Sequence, residues 1–155
     1  MLRIKRIMAA FLVALTLLSC NVTGFAAKNP QMSKTAYASS WKVKRGSSIK
    51  VRFVVNSNSY TFKNGRYRTL LRSELYYNRS GSLYPCSNNM RQVGVTGNKV
   101  NVYVTYKMSS STATGTYTIL AAVFKHSSGA KKPATAPISK WTRTTSIRGW
   151  NFKVY

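Results

Sequence analysis

ATGTYTILAAVF, residues 113–124, is the stretch that most constrains the fold. Beyond Gly115, apolar side chains recur with a period of two, which is the spacing of a β-strand because successive side chains point to opposite faces. A strand that is apolar on both faces is buried on both sides. We therefore predict a central strand here. One face carries Tyr117, Ile119, Ala121 and Val123, and the other carries Leu120, Ala122 and Phe124.

The same period of two appears in shorter stretches elsewhere in the chain. Asn64-Gly65 and Gly97-Asn98 predict tight hairpin turns. Gly, Pro, Ser and Asn predict a loop over residues 78–89, and residues 127–149 form a long predicted loop between the last two strands. No sustained 3.6-residue apolar period follows the N-terminus, so we predict an all-β sandwich of about seven strands, with a barrel as the alternative. The alternating stretches cover residues 41–44, 49–55, 71–77, 93–95, 100–104 and 150–154.

Residues 113–124 resemble the penultimate strand of immunoglobulin-like domains, in which a turn, a Gly and then a Tyr lead into an alternating strand. Residues 41–55 are similar to the opening strands of bacterial secreted immunoglobulin-like domains. The resemblance implies an immunoglobulin-like antiparallel β-sandwich over residues 41–155, with the Tyr117 hydroxyl bonded back to the backbone as a tyrosine corner. Ile119 stands where antibody domains carry their second Cys, so no inter-sheet disulfide is implied.

The N-terminus predicts a secretory signal. Three basic residues precede an apolar run over residues 7–18, which has the length of a signal-peptide core and is too short to span a bilayer. Small residues predict cleavage after Ala26, whereas the lipobox-like sequence ending in Cys20 leaves lipidation of that cysteine as the alternative. Both routes predict a secreted or cell-surface protein. We divide the chain into a signal peptide, a flexible lead-in and a folded domain at residues 1–26, 27–40 and 41–155.

Charge dominates the composition. The chain has 25 Lys and Arg against one acid, Glu74, and a net charge of +24. Removal of residues 1–26 takes away three cations, which leaves 25 − 3 = 22 cations and a net charge of 22 − 1 = +21. Self-repulsion on this scale costs stability, so it calls for a reason. We predict a polyanionic partner, and a solubility or habitat bias is the rival explanation.

The mature chain lacks the residues that several chemistries require. One carboxylate cannot supply the pair that glycosidases and aspartic proteases use, and one His, one Cys and one Glu are too few for a metal site. We expect no metal, no cofactor, no small-molecule substrate and no catalysis. A nucleophile–base pair of Cys86 and His126 is the one catalytic alternative. Cys86 has no cysteine partner in the mature chain, so it is either free or in an intermolecular disulfide.

Cations and aromatic residues alternate in YTFKNGRYR, residues 60–68, around the first predicted turn. A hairpin here places Lys63 opposite Arg66. Lys and Arg neutralise anionic groups, and aromatic faces stack on bases or sugars. Further cations occupy the predicted loop over residues 127–149. The candidate polyanion-binding residues are Lys63, Arg66, Tyr67, Arg68, Lys131, Lys132, Lys140 and Arg143.

These features together predict a secreted, strongly cationic, non-catalytic binding module. Its expected partners are anionic polymers, namely cell-wall teichoic acid, polysaccharide or extracellular DNA, with an anionic membrane surface as a further partner. We expect a monomer. The alternative is a cationic antimicrobial or toxin-like effector that acts on anionic membranes, although the sequence contains no basic amphipathic helix to support it.

Overall fold

The computed structural model describes residues 27–155, which form ten β-strands and two 3₁₀ turns. The predicted signal peptide, with cleavage after Ala26 or lipidation at Cys20, lies outside the described residues. No helix with the length and apolarity of a membrane span occurs between residues 27 and 155. The strands are β1 (Gln31–Met32), β2 (Tyr37–Ala38), β3 (Lys42–Val43), β4 (Ser48–Asn56), β5 (Tyr67–Arg79), β6 (Ser82–Val95), β7 (Lys99–Lys107), β8 (Gly115–Ala130), β9 (Thr142–Arg143) and β10 (Arg148–Val154). The 3₁₀ turns are Pro133–Thr135 and Ile138–Lys140.

The strands form two separate sheets. In the four-stranded sheet, β4 pairs with β1 and β2 on one side and with β7 on the other. In the six-stranded sheet the order is β3-β10-β8-β5-β6, and β9 pairs with β8 beyond the end of β10. All pairs are antiparallel except β3 with β10. Two sheets with distinct edges exclude the barrel alternative.

The core lies between the two sheets, where alternate residues of β4 and β8 point inward. Phe53 of β4 is 0% exposed and packs edge to face on Trp150 of β10, with ring centroids 5.3 Å apart. The predicted central position of β8 is confirmed, because this strand lies between β5 and β10. Its buried inner face consists of Tyr117, Ile119, Ala121 and Val123.

The tyrosine corner is also confirmed. The Tyr117 hydroxyl donates a hydrogen bond of 2.9 Å to the carbonyl oxygen of Ala113, four residues upstream. This bond ties the start of β8 to the loop that precedes it, as in immunoglobulin-like domains. Together with the two facing sheets, which are antiparallel except at β3, this bond makes the fold an immunoglobulin-like β-sandwich.

The prediction of a flexible lead-in at residues 27–40 is wrong. This segment supplies β1 and β2, which pair with β4 at the edge of the four-stranded sheet. Met32 and Ala36 are buried in the core. A strand of two residues is too short to show a period of two, so the sequence pattern could not reveal it.

Two predicted connections also differ from the structure. Residues 78–89, predicted as a loop, form a hairpin in which Ser80 and Gly81 adopt φ angles of 51° and 86°, typical of a primed two-residue turn. The second strand of this hairpin, β6, is an exposed edge strand, where polar residues and Pro85 are tolerated. The hairpin predicted at residues 97–98 is wrong, because β6 and β7 belong to different sheets.

A buried hydroxyl pair links the sheets and predicts a pH effect on stability. Tyr106 of β7 is 2% exposed, and its hydroxyl hydrogen-bonds to that of Ser73 at 2.9 Å. Burial raises the pKa of Tyr106 from 10 to about 12. An acidic group whose pKa is higher in the folded state stabilises the fold fully below its unfolded pKa, and that stability is lost as the pH rises.

We therefore expect Tyr106 to make the free energy of unfolding decline between pH 10 and 12, by about 2 kcal/mol at pH 12. Urea titrations of the wild type and of Tyr106→Phe at pH 8 to 12 measure this decline. The difference between the two proteins is the informative quantity, because deprotonation of lysines affects both. Parallel curves throughout this range would contradict the expectation.

Candidate functional site

The predicted turn at residues 64–65 forms as expected. Asn64 and Gly65 have φ angles of 51° and 69°, and positive values at both central positions define a type I′ turn. The backbones of Lys63 and Arg66 exchange two hydrogen bonds of 3.0 Å. Both of these cations are exposed at the tip. The like charges therefore face each other in solvent, where screening keeps the repulsion small.

Aromatic packing anchors the base of this hairpin. The rings of Phe62 and Tyr67 meet edge to face with centroids 4.8 Å apart. Tyr67 also lies against the backbone of Gly94, where an added Cβ would come within 2.3 Å of its ring. Phe62 stays 40% exposed, whereas Tyr67 is half-buried. Tyr67 therefore fixes the hairpin to the neighbouring strand β6, and Phe62 is the aromatic side chain that faces solvent.

Arg68 holds the base of the hairpin against neighbouring segments through contacts of its side chain. Its Nε donates a hydrogen bond of 2.9 Å to the carbonyl oxygen of Ser127. Its guanidinium lies 5.0 Å from the centre of the Tyr60 ring, and the ammonium of Lys125 lies 5.0 Å from the same centre. These contacts leave Arg68 half-buried. The second arginine of the hairpin, Arg66, is exposed and donates one hydrogen bond of 3.3 Å to the carbonyl oxygen of Gly129.

A bulge at the end of β8 brings two further candidates beside the hairpin. Gly129 has a φ of 73°, and a Cβ there would meet the carbonyl oxygen of Tyr67 at 2.5 Å. His126 Nδ1 accepts hydrogen bonds from the backbone N–H groups of Ser128 and Gly129, at 3.2 and 2.9 Å. The bulge sets Ala130 opposite Tyr67. Lys131 and Lys132 follow immediately, so they leave the sheet next to the hairpin.

The remaining candidates lie on the other side of β8. Arg143 of β9 pairs with Phe124, and Lys140 ends the second 3₁₀ turn. Between them, Trp141 is buried against Leu70 on the outer face of the six-stranded sheet. This buried ring holds the long loop in place, while Lys140 and Arg143 stay exposed.

All eight candidate residues therefore lie at one end of the sandwich, which we call the basic end. They occupy three neighbouring segments that span two strand spacings, about 10 Å. The fold also brings Lys28, Lys99 and Lys125 to the basic end, although no local sequence pattern indicated these three residues. The basic end carries ten of the 22 cations outside residues 1–26. These are Lys28, Lys63, Arg66, Arg68, Lys99, Lys125, Lys131, Lys132, Lys140 and Arg143.

The single acid of the sequence lies away from the basic end. Glu74, on the outer face of β5, forms an ion pair of 2.6 Å with Arg72. It also accepts a hydrogen bond from the Tyr76 hydroxyl, and this bond raises the pKa of Tyr76. The charge of Glu74 is therefore balanced by Arg72, away from the basic end. The ten cations of the basic end have no carboxylate side chain among them.

The alternative pairing of Cys86 with His126 is wrong. Cys86 lies beside Tyr76 on β6, and His126 lies near Arg68 at the other end of β5. Eight residues of strand separate these levels, about 25 Å. Burial raises the pKa of Cys86, which disfavours a thiolate. Within the described residues, no three His, Cys, Asp or Glu side chains come together as metal ligands.

Comparison with known proteins finds weak likeness in structure and none in sequence. No known protein family matches the sequence, and no curated protein is significantly similar to it. Among solved structures, the CARDB domain of the PF1109 protein from Pyrococcus furiosus has a TM-score of 0.44 at 12% identity, over 81% of this chain and 94% of that one. A Niemann-Pick type C2 protein from the Japanese carpenter ant has a TM-score of 0.46 at 7% identity, over 84% and 96%. A β-glucosidase from Listeria innocua has a TM-score of 0.42 at 10% identity, over 81% of this chain and 16% of the enzyme.

Proposed function

We propose that this protein is a secreted, non-catalytic module that binds an extracellular anionic polymer through its basic end. One observation carries the proposal: ten of 22 cations gather at one end of the sandwich, and the sole acid is paired elsewhere. Concentrated charge of one sign raises the local potential and attracts polyanions.

The shape of the basic end supports a polymer rather than a small anion. Lys63 and Arg66 stand on a convex hairpin tip, and Lys131 and Lys132 lie beside it. A convex row of cations cannot enclose one anion, but it can contact successive charges of a chain that runs across it. The packing of Tyr67 and the contacts of Arg68 hold the hairpin in place, so binding has to restrict few of its backbone and side-chain conformations.

The shared chemistry of the candidate ligands is a repeating negative charge. Teichoic acid, acidic polysaccharide and extracellular DNA all have it, and each neutralised charge releases counterions. Binding should therefore depend steeply on salt. With about four contacts, the slope of log affinity against log salt concentration is about −3, and affinity falls about 50-fold between 50 and 200 mM salt.

Fluorescence anisotropy of labelled inorganic polyphosphate, titrated with the mature protein at several salt concentrations, measures this slope. An affinity that is absent, or that stays constant with salt, contradicts the proposal. Release of dye from anionic vesicles at the same protein concentrations would instead favour the membrane-acting effector.

A further inference from the structure

A second basic and aromatic surface lies on the solvent face of the four-stranded sheet, on the opposite side from the core. The strand register places Tyr37 of β2 beside Arg52 of β4, and Arg52 beside Tyr103 of β7. We call this line of three side chains, together with Lys50, the tyrosine row. Its members come from three strands, so no stretch of sequence contains the row.

Each tyrosine of the row is paired with a cation. The Arg52 guanidinium lies 4.4 Å from the centre of the Tyr37 ring, and the Lys50 ammonium lies 4.7 Å from the centre of the Tyr103 ring. Attraction between a cation and an aromatic face holds such pairs together. The rings nevertheless remain open to solvent, with Tyr37 45% exposed and Tyr103 50% exposed.

The surface around the row is a shallow depression with small side chains beside the rings. Ala38 and Ser39 line it together with the four members of the row. The rings stand two strand spacings apart, about 10 Å. The tyrosines point away from the core, so packing between the sheets does not account for them.

We propose that the tyrosine row binds single-stranded nucleic acid. Planar bases stack on tyrosine rings and on arginine guanidinium planes, while Lys50 and Arg52 meet the phosphates. Cations alone suffice for a polymer that has neither bases nor sugars, and such a ligand leaves the two open rings without a role. A duplex keeps its bases stacked inside, whereas a single strand can lay them on an open sheet face.

This inference rests on the proposed function in one respect, since its ligand is a polyanion. It differs in the surface and in the ligand class. The contacts proposed for the basic end are those of its cations, whereas the tyrosine row distinguishes a strand with bases from a strand without them.

The test is a double variant, Tyr37→Leu with Tyr103→Leu, which removes the rings and keeps every charge. Its control is Tyr84→Leu with Tyr155→Leu, since these tyrosines are also exposed and lie on the other sheet or at the chain end. The probes are a 12-residue oligothymidylate and inorganic polyphosphate of similar length. Circular dichroism and thermal unfolding check that each variant keeps the fold.

We expect the row variant to bind oligothymidylate about 25-fold more weakly, about fivefold per ring, and to bind polyphosphate within about twofold of the wild type. The control variant should bind both probes as the wild type does. Equal losses for the two probes, or no loss for oligothymidylate, would overturn the inference and leave the proposed function standing. Weaker binding of base-free hyaluronan by the row variant would overturn it too, because the rings would then serve a sugar. A wild type that binds neither probe sinks the proposed function itself.

Discussion

Lys63→Glu combined with Arg66→Glu is expected to weaken the binding of polyphosphate about 100-fold at 50 mM salt. Each substitution removes one contact with the polymer and places a like charge beside it. Each of the two substitutions therefore weakens binding about tenfold. The turn itself should survive, because Asn64 and Gly65 keep the positive φ angles that define it. Anisotropy titrations with labelled polyphosphate measure the effect.

The matched control is Lys44→Glu with Arg45→Glu. These cations lie in the exposed turn between β3 and β4, at the opposite end of the sandwich from the basic end. The net charge changes by the same amount in both variants, so long-range attraction falls equally. We expect the control to lose no more than about threefold. Equal losses in the two variants would mean that the positive charge acts as a uniform coat and that the basic end is not a site.

Phe53→Ala is expected to lower the free energy of unfolding by about 3 to 5 kcal/mol. Phe53 is fully buried between the sheets and packs on Trp150, so its removal leaves a cavity that the strands of both sheets hold open. A small domain is stable by only about 5 to 15 kcal/mol, so this change removes a large share. Urea unfolding followed by circular dichroism measures the loss.

The control for this prediction is Tyr84→Ala, because Tyr84 is a comparable aromatic residue that is exposed on the edge strand β6. It should cost no more than about 0.5 kcal/mol. If the Phe53→Ala protein does not fold, Phe53→Leu offers a milder change, with an expected loss of about 1 to 2 kcal/mol. A loss at position 53 as small as that at position 84 would contradict the packing of the two sheets.

Features that depend on short-range geometry could be predicted from the sequence of this protein. Alternation with a period of two identified β4, β8 and β10 and the faces that they bury, because side-chain direction in a strand depends only on the residue's position. The Asn64-Gly65 turn was readable because few residues tolerate two positive φ angles in succession. The tyrosine corner was implied by the resemblance of residues 113–124 to the penultimate strand of immunoglobulin-like domains, in which Tyr117 takes the position of the corner tyrosine. The strong positive charge of the surface followed from composition alone, because one acid cannot balance the cations.

The tertiary structure decided what depends on pairing between distant segments. The sequence could not show that β6 and β7 separate into different sheets, because an alternating strand pairs equally well with many partners. It marked the cations of residues 60–68 and of the long loop, but the β8 bulge at Gly129 placed them together. The tyrosine row is formed wholly by strand register, since Tyr37, Arg52 and Tyr103 are neighbours only across the sheet. Composition therefore determined that this protein is basic, and long-range strand pairing decided where its cations meet aromatic rings.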